Sequence, residues 1–372
     1  MLDYFAEEGL RLRGEIPLMN LSNERVMVVK EPVGVVAAIA PFNYPITLLS
    51  MKLGPALATG CTVVAKPSSL TPLSTLMLAE VFEDAGFPPG VLNIITGSGS
   101  EAGRALIEHP IPRKVSFTGG TETGKAIAVA VTGTLKRLTL ELGGQSPAIV
   151  SDDADITRAI PALVSRAYAN TGQFCYRVSR IYVGENIYDA FCARFAGAAA
   201  GLRVGNGFDP KTQVGPLADE ATYAKSLAQV DDAVAKGAHL LQGGKRLVGD
   251  GYEGGYFMPP TVLSATDHSM TVMREETFGP VVGIMPVGDL DEAIRLANDS
   301  RYGLAAYIYC GDVARALRLA DECEAGTVWV NGIHRTYNLV PFGGYKESGL
   351  GREKSRFGLD EYLELKTIYL TT

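Results

Sequence analysis

The sequence predicts an α/β protein built on parallel sheets, and three observations carry that expectation. Its 372 residues exceed what one hydrophobic core organises, so two large domains are expected. Between Leu48 and Leu140, β-branched runs, Gly- or Pro-marked turns and amphipathic segments of helical spacing recur in βαβ order. A second series of the same kind begins after Gly143–Gly144 and runs from Ala148 to about Val330. Short strands joined by crossover helices give a parallel sheet covered on both faces.

In the first series the predicted strands are Thr62–Lys66, Val91–Ile95, Lys114–Phe117 and Lys136–Glu141, with helices near Leu48–Thr59, Leu73–Ala85, Glu101–Glu108 and Thr121–Val131. Ligands of such sheets bind beyond the carboxyl ends of the strands, and the candidate motifs are expected at those ends. The second series includes an Ala-rich helix near Tyr188–Leu202 and a strand near Val281–Val287, and reads as a separate α/β domain. Ahead of both, VMVVKEPVGVV holds two β-branched runs separated by Lys-Glu-Pro, and the chain closes on the alternating LELKTIYL. These pieces have little core of their own, so pairing with a partner subunit is expected, with ordinary edge strands as the alternative.

Apolar residues make up 47% of the chain and charged residues 20%, a globular balance that argues against disorder. The net charge of -7 is scattered, with no Lys/Arg block to neutralise phosphates or an anionic membrane, so no nucleic-acid or membrane partner is expected. The start, MLDYFAEEGLRLRGEIP, does not read as a signal peptide, and no apolar run is long enough to span a bilayer. Five cysteines show neither CxxC pairs nor clustering with the four histidines. A reducing cytoplasm and no metal site are therefore expected.

For most cysteines the better reading is a small buried apolar side chain, and it is given to Cys61, Cys192, Cys310 and Cys323, each inside an apolar pattern. Cys175 differs, because it follows Asn170-Thr171-Gly172-Gln173-Phe174, a polar loop at a domain boundary where a thiol can meet substrate. Glu141 ends a strand before Leu142-Gly143-Gly144, which suits a base that must reach a water, although most strand-end glutamates are only solvated. Asn43 stands between prolines in PFNYP and is a turn residue or an amide donor to an oxyanion. Lys66 closes its strand before Pro67-Ser68-Ser69, where a ribose or phosphate can bind, or where a lysine is simply solvated. The Gly-rich turn Phe117–Gly124 opens a helix whose dipole favours a pyrophosphate, a weak signal on its own. Gly97–Gly103 lacks G-x-G-x-x-G spacing, so the usual dinucleotide fingerprint is absent.

Taken together the segments resemble the aldehyde dehydrogenase superfamily, in order, from about Tyr4 to Leu370. The matching motifs are PFNYP at Pro41–Pro45, AKPS at Ala65–Ser68, FTGGTETGK at Phe117–Lys125, ELGGQSP at Glu141–Pro147, GQFC at Gly172–Cys175, EETFGPVV at Glu275–Val282 and PFGGYKESGLGRE at Pro341–Glu353. The resemblance implies a Rossmann-like cofactor domain over residues 1–143, with 15–32 as an oligomerisation β-hairpin. It also implies a catalytic domain over 144–347 and a C-terminal return with an oligomerisation strand over 348–372.

By the same resemblance Cys175 is the nucleophile, Glu141 the general base and Asn43 the oxyanion donor. Lys66 and Glu276 hold the two riboses of NADP or NAD, and Phe278 packs near the nicotinamide. Gly119, Gly120, Gly124, Leu142, Ser69 and Phe42 complete the cofactor site, while Phe42, Phe174 and Phe342 line the aldehyde tunnel. A homodimer or homotetramer is implied.

Three positions depart from the common pattern: Phe42 stands for Trp, Gly120 for a hydroxyl residue, and Ser69 for the Glu of strict NAD users. The last points to NADP. Relatives also carry an N-terminal segment that packs on the cofactor domain, so exposed apolar surface is expected here. The rival readings are acyl transfer to coenzyme A, against which Glu141 argues, and an inactive structural or binding homologue, against which the set Cys175, Glu141 and Asn43 argues. Arg177 and Arg335 could meet an anionic substrate such as a semialdehyde, though a surface or salt-bridged arginine is the better reading of each.

Overall fold

The computed structural model describes residues 1–19, 23–333 and 337–371. The chain divides into two compact units: Met1–Leu142 with Thr336–Gly343 and Gly349–Thr372, and Gly143–Arg335 with Gly344–Ser348. Among the described residues no helix is long and apolar enough to cross a membrane.

The first unit holds a six-stranded sheet in the spatial order Gly349–Leu350, Arg137–Glu141, Lys114–Thr118, Val35–Ile39, Thr62–Lys66 and Leu92–Ile94. All neighbours are parallel except the short Gly349–Leu350, which runs antiparallel to Arg137–Glu141. Two helices of this unit begin at the expected residues, Leu73 and Thr121, and a third begins at Pro45, three residues ahead of the expected Leu48. Pro45–Ala58 carries Pro at its first position, where the missing N–H costs nothing, and Leu73–Asp84 and Thr121–Thr132 follow turn residues.

Two readings need correction. Val35–Ile39, read as part of a bend seeking a partner subunit, lies in the middle of this sheet. Its apolar side chains on both faces suit an interior strand. The expected helix over Glu101–Glu108 is two pieces, a π-turn at Gly99–Gly103 and a helix at Arg104–Glu108.

The tail strand Leu363–Thr371 is not isolated either, because it pairs antiparallel along its full length with Glu24–Pro32. Val28 makes a further bridge to Glu15, with both N–H···O bonds at 2.8 Å. The ribbon has one apolar and largely exposed side, with Leu365 at 68% and Tyr369 at 70% exposure. Helix Leu73–Asp84 also shows apolar surface to solvent. Leu73, Met77 and Val81, spaced four residues apart, form one outward stripe.

The second unit holds a seven-stranded sheet in the order Thr327–Val330, Ala305–Tyr309, Ser146–Val150, Val178–Gly184, Val281–Val287, Thr261–Ser264 and His239–Gln242. Only the last pairing is antiparallel. Ser146–Val150 and Val178–Gly184 are buried at every residue, as interior parallel strands are. Four helices of this unit start on aspartate caps, Asp155, Asp219, Asp289 and Asp312, each accepting a backbone N–H of the first turn.

Candidate active site

In the first unit the singled-out residues gather at the carboxyl ends of the parallel strands. Lys66 ends Thr62–Lys66, and the Gly119-Gly120 turn follows Lys114–Thr118. Glu141 ends its own strand, and Phe42 and Asn43 lie in the bend between Val35–Ile39 and helix Pro45–Ala58. Lys66 is 4% exposed, burial lowers its pKa, and its Nζ donates to the Pro67 carbonyl at 2.9 Å. Ser69 is exposed.

Beside Lys66 opens an apolar cavity of about 330 Å³, lined by Gly103, Ile107, Thr123 and Ile127 among others. Its size is in the range of small-molecule sites. Gly120, at the N-cap of helix Thr121–Thr132, brings no capping side chain. A Cβ at Gly119 would stand 2.4 Å from the Phe117 ring and one at Gly124 2.3 Å from the Leu142 side chain, so a side chain at either position requires those neighbours to move. A Cβ at Gly120 meets nothing within 4 Å, so packing does not require glycine there. An apolar slot, a lysine at its rim and a glycine-rich helix start fit a dinucleotide.

Glu141 is 2% exposed, and burial together with the nearby Glu353 carboxylate pushes its pKa well above the usual carboxylate range. Lys52 works against that shift. The Lys52 ammonium is fully buried, forms an ion pair with Glu353 and donates to Thr118 Oγ1 at 2.8 Å. Lys52 carries no local signal, since it sits inside the apolar helix Pro45–Ala58, and Glu353 lies inside the motif PFGGYKESGLGRE with no role expected of it. Lys52→Met leaves the Glu353 charge buried and uncompensated, so a loss of about 3–5 kcal/mol is expected. Chemical denaturation checks this. A Lys52→Met/Glu353→Leu double variant that remained as unstable as the single one would contradict the ion-pair account. Phe342 is 7% exposed, with the Lys354 ammonium 5.2 Å from its ring centre.

In the second unit the candidate residues precede the strands, as expected for Cys175. Gly143-Gly144 leads into Ser146–Val150, Cys175 into Val178–Gly184, and Glu276 and Phe278 into Val281–Val287. These strands are adjacent, so the residues meet at the amino edge of one sheet. Three consecutive residues before the cysteine, Asn170, Thr171 and Gly172, have positive φ of 48°, 60° and 74°. Such a run is costly for side chains other than glycine, and it shapes the loop that presents Cys175. A Cβ at Gly172 would lie 2.3 Å from the Gly279 carbonyl oxygen, and one at Gly144 would lie 2.4 Å from that of Cys175. These contacts press the Cys175 loop against both neighbouring segments.

Phe278 also has positive φ, 56°, an outlying conformation for an aromatic residue. The Gly144 N–H donates to Glu276 Oε1 at 2.9 Å, and burial raises the Glu276 pKa. Cys175 is partly exposed, and Cys61, Cys192, Cys310 and Cys323 are buried. Phe174 is 2% exposed and packs edge-on to Tyr176 at 5.0 Å.

Arg177 is neither a surface nor a salt-bridged arginine. It is fully buried, donates to the carbonyls of Val178 and Val281, and has its pKa lowered to about 10 by burial. Arg335 lies outside the described residues. Among the described residues no group of three or more His, Cys, Asp or Glu is placed to hold a metal ion.

One parallel-sheet unit carries an apolar slot of a size and lining that fit a dinucleotide, and the second presents the partly exposed Cys175 ahead of one of its sheet strands. The chain belongs to the aldehyde dehydrogenase family, whose model matches residues 1–368. It is 45% identical over 368 residues to a mitochondrial succinate-semialdehyde dehydrogenase of Oryza sativa subsp. japonica, covering 99% of this chain and 69% of the relative. It is 42% identical to the NADP(+) succinate-semialdehyde dehydrogenase of Escherichia coli (strain K12), covering 98% and 75%. Among solved structures, a betaine aldehyde dehydrogenase of Staphylococcus aureus in complex with NAD+ superposes with a TM-score of 0.96 at 42% identity, covering 99% of this chain and 73% of that one. The protein is an NAD(P)-dependent aldehyde dehydrogenase that oxidises an aldehyde to the carboxylic acid.

Proposed function

We propose that Cys175 is the nucleophile of this oxidation, Glu141 its hydrolytic base and Asn43 an oxyanion donor. The observation that carries the reading is the contrast among the five cysteines: four are buried, and the fifth ends a strained loop beside Gly144 and the Glu276 segment. The Cys175 thiolate adds to the aldehyde carbon, and the carbonyl electron pair moves to oxygen. There the Asn43 amide and the Cys175 N–H stabilise it, each donor being worth roughly 2.7–4 kcal/mol in comparable sites. Bound NAD(P)+ supplies the hydride acceptor. Glu141 takes a proton from water, the hydroxide adds to the thioester, and the carbon–sulfur bond breaks to return the thiolate and release the acid.

Lys66 and Glu276 hold the cofactor riboses, with Gly119, Gly120, Gly124 and Leu142 around the pyrophosphate, Phe278 and Phe42 towards the nicotinamide, and Phe174 and Phe342 along the aldehyde path. A buried carboxyl with a raised pKa supports hydrolysis over transfer to coenzyme A. The substrate class stays open between semialdehydes and neutral aldehydes, because the Arg177 guanidinium is engaged by backbone carbonyls. The apolar side of the two-stranded ribbon supports assembly into a homodimer or homotetramer. Free cysteines suit the cytoplasm.

NADP is accepted, and preferred or used alongside NAD. At Ser69 there is no carboxylate to repel a 2′-phosphate, the hydroxyl can donate to it, and Lys66 stands three residues before. Ser69→Glu is expected to depress kcat/KM for NADP far more than for NAD. Equal effects on both cofactors, or a wild type inert with NADP, would remove this assignment.

A further inference from the structure

The backbone segment Gly143–Gln145 ties together the residues at the amino edge of the second sheet. Ser348 Oγ donates to the Gly143 carbonyl at 2.7 Å, and the Gly144 N–H reaches Glu276 at 2.9 Å. Gln145, 1% exposed, uses one side-chain nitrogen for two bonds, donating to the carbonyls of Val272 at 3.0 Å and Glu275 at 3.1 Å. Its own carbonyl accepts from Arg180 Nε at 3.1 Å, which fixes the residue from behind. The first of those carbonyls belongs to helix Thr271–Arg274 and the second to the loop just after it. Carbonyls in a last turn lack intrahelical partners, and an amide NH2 is the neutral group that can serve two at once.

The loop so held carries Glu276 and Phe278. On its far side Thr277 Oγ1 donates to Gln229 of helix Glu220–Ala235. Glu276 is thereby bracketed: Gln145 fixes the residue before it, Gln229 the residue after it, and Gly144 the carboxylate itself.

We infer that Gln145 is a positioning residue for the cofactor, its amide holding the loop so that Glu276 meets the nicotinamide-side ribose. The inference rests on the assignment of Glu276 to a cofactor ribose. An apolar side chain at Gln145 leaves the buried Val272 carbonyl and the part-buried Glu275 carbonyl without this donor, and the loop gives way to satisfy them.

The test measures NAD+ and NADP+ affinity by binding titration, alongside hydrolysis of p-nitrophenyl acetate without cofactor, which needs the thiol and base only. Gln145→Met is expected to weaken cofactor binding by roughly tenfold, the loss of one to two net hydrogen bonds, while ester hydrolysis persists. In Gln145→Glu the introduced carboxyl faces two carbonyls and donates only when protonated, so cofactor affinity should rise as pH falls. Gln145→Met should show no such rise.

Unchanged affinity in Gln145→Met, or parallel loss of binding and ester hydrolysis in both variants without the pH-dependent gain, would overturn the inference. If Gln145→Met does not fold, the pH titration of Gln145→Glu decides alone. Glu276→Ala separates the two levels. Unchanged affinity there removes the ribose assignment and the inference with it, whereas weakened affinity there with unaltered Gln145→Met removes the inference only.

Discussion

Cys175→Ala is expected to abolish aldehyde oxidation, with kcat falling by a factor on the order of 10⁴ or more, because the covalent step has no second thiol to use. Cys192, Cys310 and Cys323 are buried in the second unit's own core, and burial pushes the Cys192 and Cys323 thiols up to about 11. A thiol in that state is a poor nucleophile at neutral pH. Cys192→Ala and Cys310→Ala should therefore lower thermal stability and leave the kinetics of the folded enzyme alone. Cofactor binding should survive in Cys175→Ala. NAD(P)H formation by that variant above background would refute the thioester route.

Glu141→Gln separates the two halves of the reaction. The thiol attack and hydride departure do not need the carboxylate, so one equivalent of NAD(P)H per active site should appear in a burst. The steady state that follows should be slower by roughly 10²–10⁴, the usual contribution of a positioned base. The wild type adds a pH signature. Burial and Glu353 raise the Glu141 pKa, and the carboxyl must lose its proton to act. Steady-state turnover should thus fall with decreasing pH at values above the ordinary carboxylate range, and Glu141→Gln should lose that limb. A variant that lost burst and steady state together would place Glu141 earlier in the reaction.

Much of this was legible in the amino acids, and the illegible part has physical reasons. The strands Thr62–Lys66 and Val281–Val287 coincide with their predicted bounds because each is a β-branched run between turn or breaker residues. Val35–Ile39 was misplaced because a short apolar run after Lys-Glu-Pro looks alike at an edge and at a centre, and only its neighbours decide. The motif residues Lys66, Gly124 and Glu276 stand out locally by residue type. Lys52, Gln145 and Gln229 do not, since each works on a partner far along the chain. The position of Cys175 just ahead of a strand was legible, whereas which strands flank that one was not, because strand order is not written in the loop's own composition.

The pairing of Glu24–Pro32 with Leu363–Thr371 bears on how the protein is made. On a ribosome the first of these strands emerges long before its partner. The six-stranded sheet likewise waits for Gly349–Leu350. The seven-stranded sheet of the second unit draws its strands from Ser146–Val150 through Thr327–Val330, a contiguous stretch made before Leu363–Thr371, with only the short Tyr345–Lys346, which pairs with Tyr302–Gly303, added between. The thiol-bearing unit should therefore reach its native state before the ribbon, which zips only at the entropic cost of closing the long loop between its two strands.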